Sequence, residues 1–120
     1  MVTASERSGI YPARLEIRSV GHILYIRVDE IDWIEAADTY VILHTTFGSH
    51  LMRESMNRLE TILDPENFLR VHRSTIINLN RVREIRSIRF GDRMVVLGDG
   101  TKVRVSRVRK GTLEASLRLL

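Results

Sequence analysis

Three hydrogen-bonding side chains stand together in the middle of an otherwise apolar stretch. The segment 68–78 reads FLRVHRSTIIN, in which His72, Arg73 and Ser74 separate two runs that are typical of β-strands. An arginine can donate two parallel hydrogen bonds to O6 and N7 of guanine, and histidine and serine can bond to phosphates or base edges. This corner therefore predicts a surface that reads nucleic acid, although a solvated polar turn has the same composition.

A second group of basic side chains follows a strand-like run near the end of the chain. Val103 and Val105 alternate with two basic residues, so one face of this strand is expected to be buried and the other positively charged. The remaining basic residues mark the start of a predicted helix, where backbone N–H groups also favour anions. The group consists of Lys102, Arg104, Arg107, Arg109 and Lys110.

Positive charge is concentrated in the second half of the chain. Residues 61–120 carry thirteen basic and six acidic side chains, whereas residues 1–60 carry six basic and nine acidic ones, so the net charges are +7 and −3. Seventeen of the nineteen basic residues are arginines, whose planar group suits phosphate and guanine better than an ammonium group does. The asymmetry predicts a polyanionic partner, double-stranded DNA or another nucleic acid. Four further arginines either contact a nucleic-acid backbone or only solubilise a strand: Arg81, Arg83, Arg86 and Arg89.

The sequence lacks the signatures of enzymes, metal sites and membrane spans. It contains no cysteine, and its four histidines do not have the close spacing of zinc ligands. No glycine-rich phosphate loop or G-x-S-x-G turn is present, so we expect neither catalysis nor a cofactor. The first residues lack the apolar core of a signal peptide, and no apolar run approaches the roughly 20 residues of a membrane span. Together with the absence of cysteine, this predicts a cytoplasmic protein.

Short apolar segments separated by turn residues predict a mostly β fold that positions these groups. We expect a flexible arm or linker remnant over residues 1–13 and one domain over residues 14–120. Ser55 can cap a short helix over residues 55–63, and a looser apolar pattern predicts a second helix from residue 108 to the C-terminus. Glycine and aspartate between the last three strands indicate two consecutive hairpins, which form a meander. Strands are predicted at 15–19, 22–28, 31–36, 40–46, 50–53, 68–71, 75–78, 82–90, 94–97 and 101–105.

Three pieces of the sequence together resemble the LytTR type of DNA-binding domain. The first is Ile34-Glu35-Ala36 followed by Tyr40-Val41, and the second is the segment 68–78, which reads F-x-R-x-H-R-S-x-I-x-N. The third is Val105-Ser106-Arg107 before the terminal helix. The resemblance runs from about residue 15 to the end of the chain, and the second piece is the most specific of the three.

This resemblance implies an elongated β-sandwich or meander of short antiparallel strands that inserts loops into successive major grooves. Such domains are usually the output half of bacterial response regulators in two-component systems, or are joined to membrane segments, and they bind promoter repeats. The implied partners are therefore double-stranded DNA, a second copy on an adjacent half-site, and an upstream receiver or membrane domain.

The residues expected to contact DNA fall into three groups. Asp38 departs from what electrostatics favours near phosphates, so it either accepts a hydrogen bond from a cytosine amino group or belongs to a turn. At the third group, either Arg107 or Arg109 is expected to read bases. The groups are Asp38, Thr39 and Tyr40 before and in a strand; His72, Arg73 and Ser74 at the corner; and Lys102, Arg104, Arg107, Arg109 and Lys110 around the final junction.

Two other classes of function are compatible with the composition. A small β-barrel that binds a ligand or a nucleotide second messenger would use arginines to hold phosphates, but the arginine-rich loop and D-x-S-x-x-G-like strand motif of such modules are not present. A protein-interaction module would show no binding to duplex DNA near physiological salt.

Overall fold

The computed structural model describes residues 10–118, which form a mostly β fold with two α-helices, as predicted. Within this range the molecule is elongated, with extents of 49 × 38 × 24 Å. The strands are β1 (Arg14–Ser19), β2 (His22–Arg27), β3 (Ile31–Ala37), β4 (Tyr40–Thr45), β5 (Gly48–Met52), β6 (Phe68–His72), β7 (Thr75–Asn78), β8 (Val82–Ser87), β9 (Arg93–Leu97) and β10 (Lys102–Val105). The helices are α1 (Met56–Ile62) and α2 (Lys110–Arg118).

The ten strands form three antiparallel sheets. The central sheet has the order β5-β4-β3-β7-β6, so that the pairing of β3 with β7 joins the two halves of the sequence. Strands β8, β9 and β10 form the predicted meander, and β1 pairs with β2 in a separate hairpin.

Both faces of the central sheet are covered. Adjacent residues of a strand point to opposite faces, and the cross-strand pairs of β3 and β7 show this directly. Ile34 and Ile76 are paired and lie in a core shared with the β1–β2 hairpin and α1. Trp33 and Ile77 are paired and lie in a second core shared with the meander and α2. Burial on both faces explains why β7 is apolar at consecutive positions instead of alternating.

The helices begin and end for the reasons that the sequence suggests. Ser55 caps α1 as predicted, because its hydroxyl accepts a hydrogen bond from the backbone N–H of Arg58 at 3.1 Å. Helix α2 begins at Lys110, two residues later than predicted, and buries Leu113. Gly111 lies in its first turn, where a glycine disturbs few helical hydrogen bonds. None of the helices within residues 10–118 is long and apolar enough to cross a membrane.

One predicted strand ends earlier than expected, and two predicted segments extend beyond the residues that the structure describes. The strand predicted over 82–90 ends at Ser87, because Arg89–Gly91 forms a turn in which Phe90 has a φ of 61°. A bulky residue in this left-handed region cannot continue a strand. Residues 1–9 of the predicted arm and the last two residues of the predicted C-terminal helix lie outside the described range.

The buried side chain of Asn78 links the two halves of the central sheet. Its Nδ2 donates to the carbonyl oxygen of Ile31 at 2.9 Å, and its Oδ1 accepts from the backbone N–H of Asn80 at 2.9 Å. We expect Asn78→Ala to lower the free energy of unfolding by about 1 to 3 kcal/mol, since Ile31 loses a buried hydrogen bond and Asn80 a partly buried one. Urea unfolding followed by the fluorescence of Trp33 measures this change. A loss below about 0.5 kcal/mol would show that these bonds contribute little.

Candidate nucleic-acid interface

Two of the three predicted groups lie on hairpin turns at the same end of the central sheet. Asp38 and Thr39 form the two-residue turn between β3 and β4, and Arg73 and Ser74 form the turn between β6 and β7. Because β3 and β7 are antiparallel neighbours, the end of one strand lies beside the start of the other. The backbone N–H of Ala36 donates to the carbonyl oxygen of Ser74 at 2.9 Å. The structure therefore brings these turns side by side.

The third predicted group joins the same end through an irregularity in β6. The register of β6 against β7 shifts between Arg70 and His72, which leaves Val71 as the extra residue of a bulge. The carbonyl oxygen of Val71 accepts a hydrogen bond from the backbone N–H of Ser106 at 2.8 Å. The segment between β10 and α2, which contains Arg107 and Arg109, is thereby attached to the corner at Arg73.

The corner presents Arg73, an arginine that makes no ion pair with the residues that the structure describes. Arg73 is exposed, and its guanidinium group has no hydrogen-bond or ion-pair partner among residues 10–118. The neighbouring His72 is half-buried, and its Nδ1 accepts from the backbone N–H of Ser74 at 3.2 Å and lies 2.8 Å from Ser74 Oγ. Because Nδ1 acts as an acceptor, a neutral His72 ring carries its proton on Nε2.

Geometry accounts for the acidic residue in the first turn. Asp38 has a φ of 60°, a conformation that aspartate tolerates better than most residues, and two-residue hairpin turns require such a value. Asp38 therefore belongs to a turn, and acceptance of a hydrogen bond from a cytosine amino group stays a prediction. Asp38, Thr39 and Tyr40 are all exposed, and they are held next to Ser74 by the bond from Ala36.

A buried carboxylate organises the third group. Asp92 Oδ2 accepts from Arg104 Nη2 at 2.7 Å, and Asp92 Oδ1 accepts from Arg107 Nε at 3.1 Å. Both arginine side chains remain about two-thirds exposed, at 68% and 66%. The hydrogen bond from Arg104, and after it that from Arg107, lowers the pKa of the Asp92 carboxyl, while burial opposes this. Sequence reasoning missed Asp92, which lies twelve and fifteen residues from its partners.

The other basic residues of the third group are arranged differently. Lys102 and Arg104 project from the exposed face of β10 while Val103 and Val105 are buried, as the alternation predicted. Lys110 Nζ donates to the carbonyl oxygen of Gly91 at 3.2 Å. Arg109 Nη1 donates to Glu60 Oε2 on α1 at 3.2 Å, and its side chain is only 39% exposed. Arg107 is thus better presented to solvent than Arg109.

Two of the four arginines that precede this group are bound to acids of the protein. Arg81 Nε donates to Asp32 Oδ1 at 2.8 Å, and Arg86 forms an ion pair with Glu84. The hydrogen bond from Arg86 lowers the pKa of Glu84. This stretch is therefore not a continuous band of unpaired positive charge.

The remaining polar clusters have structural explanations. His44 is half-buried, stacks on Trp33 with ring centroids 4.2 Å apart and has its Nε2 atom 2.7 Å from Glu35 Oε1. A cavity of 720 Å³ near the start of β1 is lined partly by Asn78 and Asn80. Asn80 Nδ2 donates to Asn78 Oδ1, and the Asn78 amide bonds to the backbone of Ile31 and Asn80. Within residues 10–118, no three His, Asp or Glu side chains are close enough to hold a metal ion.

Comparisons with known proteins point in the same direction as this geometry. A family model described as the LytTr DNA-binding domain matches residues 21–118. The transcriptional regulatory protein LytR of Staphylococcus aureus (strain N315) is 30% identical over 117 residues, which cover 98% of this chain and 48% of that protein. The CO-responsive transcriptional regulator RcoM of Rhodospirillum rubrum is 37% identical over 86 residues, 71% of this chain and 36% of that protein.

A solved structure shares the fold. The LytTr DNA-binding domain of a response regulator from Bacillus cereus superimposes with a TM-score of 0.77 at 19% identity, covering 88% of this chain and 96% of that chain. This chain therefore matches nearly all of an isolated domain, but spans only about half the length of the LytR proteins.

The ion pairs of Asp92 predict a defined dependence of stability on pH. A carboxyl whose pKa is lower in the folded state stabilises the fold above its unfolded value, about 3.9, and this stabilisation is lost as the pH falls through the folded value. We expect Asp92→Asn to be less stable than the parent at pH 7, and the difference to shrink as the pH falls below about 4. Urea unfolding between pH 3 and 7 measures the difference. A difference that stays constant over this range would contradict the assignment.

Proposed function

The chain belongs to the LytTR family of DNA-binding domains, and from this premise we propose that it recognises specific sites in double-stranded DNA as the output domain of a bacterial transcription regulator. The observation that carries the proposal is the arrangement of the three predicted groups along one end of the central sheet. Backbone hydrogen bonds from Ala36 to Ser74 and from Ser106 to Val71 fix this arrangement. An extended row of donors of this kind suits the edge of a duplex better than a small ligand.

Base reading is assigned to two arginines. Arg73 lies at the tip of its hairpin with a guanidinium group that no described residue engages, so its full set of donors is available to guanine. Arg107 uses Nε for Asp92 and keeps both terminal nitrogens for DNA. Arg109 donates from a terminal nitrogen to Glu60, so we infer that it stabilises the interface and does not read bases.

The other residues of the interface supply contacts to the DNA backbone and to groove edges. His72, whose ring Ser74 orients, donates from Nε2 to a phosphate beside the corner. The exposed turn at Asp38 and Thr39 with the following Tyr40 makes a neighbouring contact. Lys102, Arg104 and Lys110 extend the positive surface. Such phosphate contacts provide affinity without sequence preference, whereas the two arginines provide the preference.

The length of the relatives suggests how the domain is used. Because this chain covers about half of the LytR proteins, we propose that an upstream receiver or membrane domain is connected through residues 1–13. Two copies then bind adjacent half-sites of a promoter repeat. Selection of bound duplexes from a random pool identifies the half-site, and a spacing of about one helical turn would place both copies on one side of the duplex.

The dependence of binding on salt tests the proposed partner. An interface that neutralises about five phosphates should lose affinity by about a hundredfold or more between 50 and 200 mM salt, because each contact releases counterions. Fluorescence anisotropy with the selected duplex measures this slope, and a scrambled duplex of equal length is the control. No binding to either duplex would exclude DNA and favour a ligand-binding or protein-interaction module.

Arg73 should contribute to sequence preference and not only to affinity. We expect Arg73→Ala to weaken binding to the selected duplex by about 1 to 3 kcal/mol and to relax the preference at one base pair. Arg86→Ala is the matched control, because it removes the same charge from a residue paired with Glu84 outside the interface. The control should change the selected and scrambled duplexes alike. Equal losses on both duplexes for Arg73→Ala would refute its base-reading role.

A further inference from the structure

Helix α1 carries two polar residues that face the proposed DNA-binding end of the molecule. Asn57 and Glu60 are one turn apart and therefore lie on the same side of the helix. The adjacent side of the helix is fixed in the protein, since Met56 and Leu59 are buried in the core. The helix thus offers a firmly placed amide and carboxylate to the strands beside it.

The first strand residue that they hold is Arg70, which lies behind the corner. Its side chain is only 13% exposed, and its Nη1 donates to Asn57 Oδ1 at 2.6 Å and to Glu60 Oε1 at 3.3 Å. Its Nη2 donates to the backbone carbonyl oxygen of Arg73 at 2.5 Å. Arg70 therefore fixes the peptide group that follows Arg73, and with it the direction in which that side chain leaves the turn.

The same carboxylate also holds the junction before α2. Glu60 Oε2 accepts from Arg109 Nη1 at 3.2 Å. The backbone of Arg109 is itself ordered, because its N–H donates to Ser106 and its carbonyl oxygen accepts from Leu113, each at 3.0 Å. Arg107 precedes Arg109 by two residues, so both lie in the short segment that this ion pair holds to α1.

We propose that Glu60 is a positioning residue for DNA recognition, which uses one carboxylate oxygen for the corner and the other for the junction. The inference rests on the proposed function and deepens it. By holding Arg70 and Arg109 together, Glu60 fixes the distance between the two base-reading arginines, Arg73 and Arg107. Glu60 itself does not touch DNA, and as a negative charge near the interface it opposes binding of any duplex.

Glu60 thus has two opposite effects, since it positions two arginines and repels any duplex. A substitution that changes both effects distinguishes a positioning role from a structural or purely electrostatic one. Glu60 is 38% exposed, and glutamine keeps an oxygen that can accept from Arg70 or Arg109, so we expect Glu60→Gln to fold, which thermal unfolding checks. Glu60→Gln removes a negative charge, which should strengthen binding to scrambled DNA. The same substitution weakens the two charge-assisted bonds, which should reduce the advantage of the selected duplex.

The test compares the affinities of each variant for the selected and scrambled duplexes at one salt concentration. We expect the ratio of the two affinities to fall about three- to thirtyfold in Glu60→Gln. Glu54→Gln is the matched control, since Glu54 precedes the same helix and pairs with Arg58 at 3.0 Å, away from the interface. It makes the same change in charge and should leave the ratio unchanged. An equal ratio in the parent, Glu60→Gln and Glu54→Gln would overturn the proposal.

A second variant, Glu60→Asp, keeps the negative charge and only shortens the side chain. The shorter side chain of Glu60→Asp cannot contact Arg70 and Arg109 together, so the ratio should again fall while binding to scrambled DNA stays as in the parent. An unchanged ratio in a folded Glu60→Asp variant, checked by thermal unfolding, would contradict a positioning role. If the parent itself fails to distinguish the two duplexes, the proposed function fails. If the parent distinguishes them and both Glu60 variants do so equally well, only the positioning role fails.

Discussion

The antiparallel pairing of β3 with β7 is the contact on which the rest of the structure depends. It joins the acidic first half of the chain to the basic second half, and it brings the turn after β3 next to the turn before β7. Two of its three facing pairs also belong to the cores, so that Ile34 with Ile76 and Trp33 with Ile77 anchor opposite faces of the sheet. A shift of one residue in this register would exchange the two faces and separate the turns. The same pairing therefore specifies the fold and the geometry of the interface.

Acidic side chains have a constructive role in this basic surface. Asp92 and Glu60 both reduce the attraction for a polyanion, yet each holds two arginines in a defined arrangement. An arginine that is already ordered loses less side-chain entropy when it binds. The two acids thus weaken the long-range attraction of the interface for DNA but fix the geometry of its arginines. Specific recognition requires such a fixed geometry, whereas nonspecific binding does not.

Much of the fold could be predicted from the sequence because its determinants are local. Alternation in β10, the cap at Ser55 and the glycine-containing turns of the meander each act over a few residues, and all three were confirmed. The start of the first of these turns was predicted too late, since no sequence rule leads one to expect a bulky residue such as Phe90 with a positive φ. The partners of the arginines were missed for another reason. Arg109 and Glu60 are 49 residues apart in the sequence, and only the packing of α1 beside β6 brings them together. Charge counting finds the arginines but not the acids that hold them.

The arginines of the interface differ in how far the protein fixes them, and this difference has a physical consequence. Arg104 and Arg107 are held by Asp92, whereas the guanidinium group of Arg73 is held by none of the residues between 10 and 118. Its backbone is nevertheless fixed by Arg70, so the freedom that remains is confined to the side chain. A side chain of this kind can adjust to a base edge while its point of attachment stays in register with the neighbouring contacts. A base-reading residue must keep its position relative to the other contacts and must also adjust to the base edge. Both are possible here, because the backbone of the interface is fixed before DNA is bound and only the last torsion angles of the side chain change on binding.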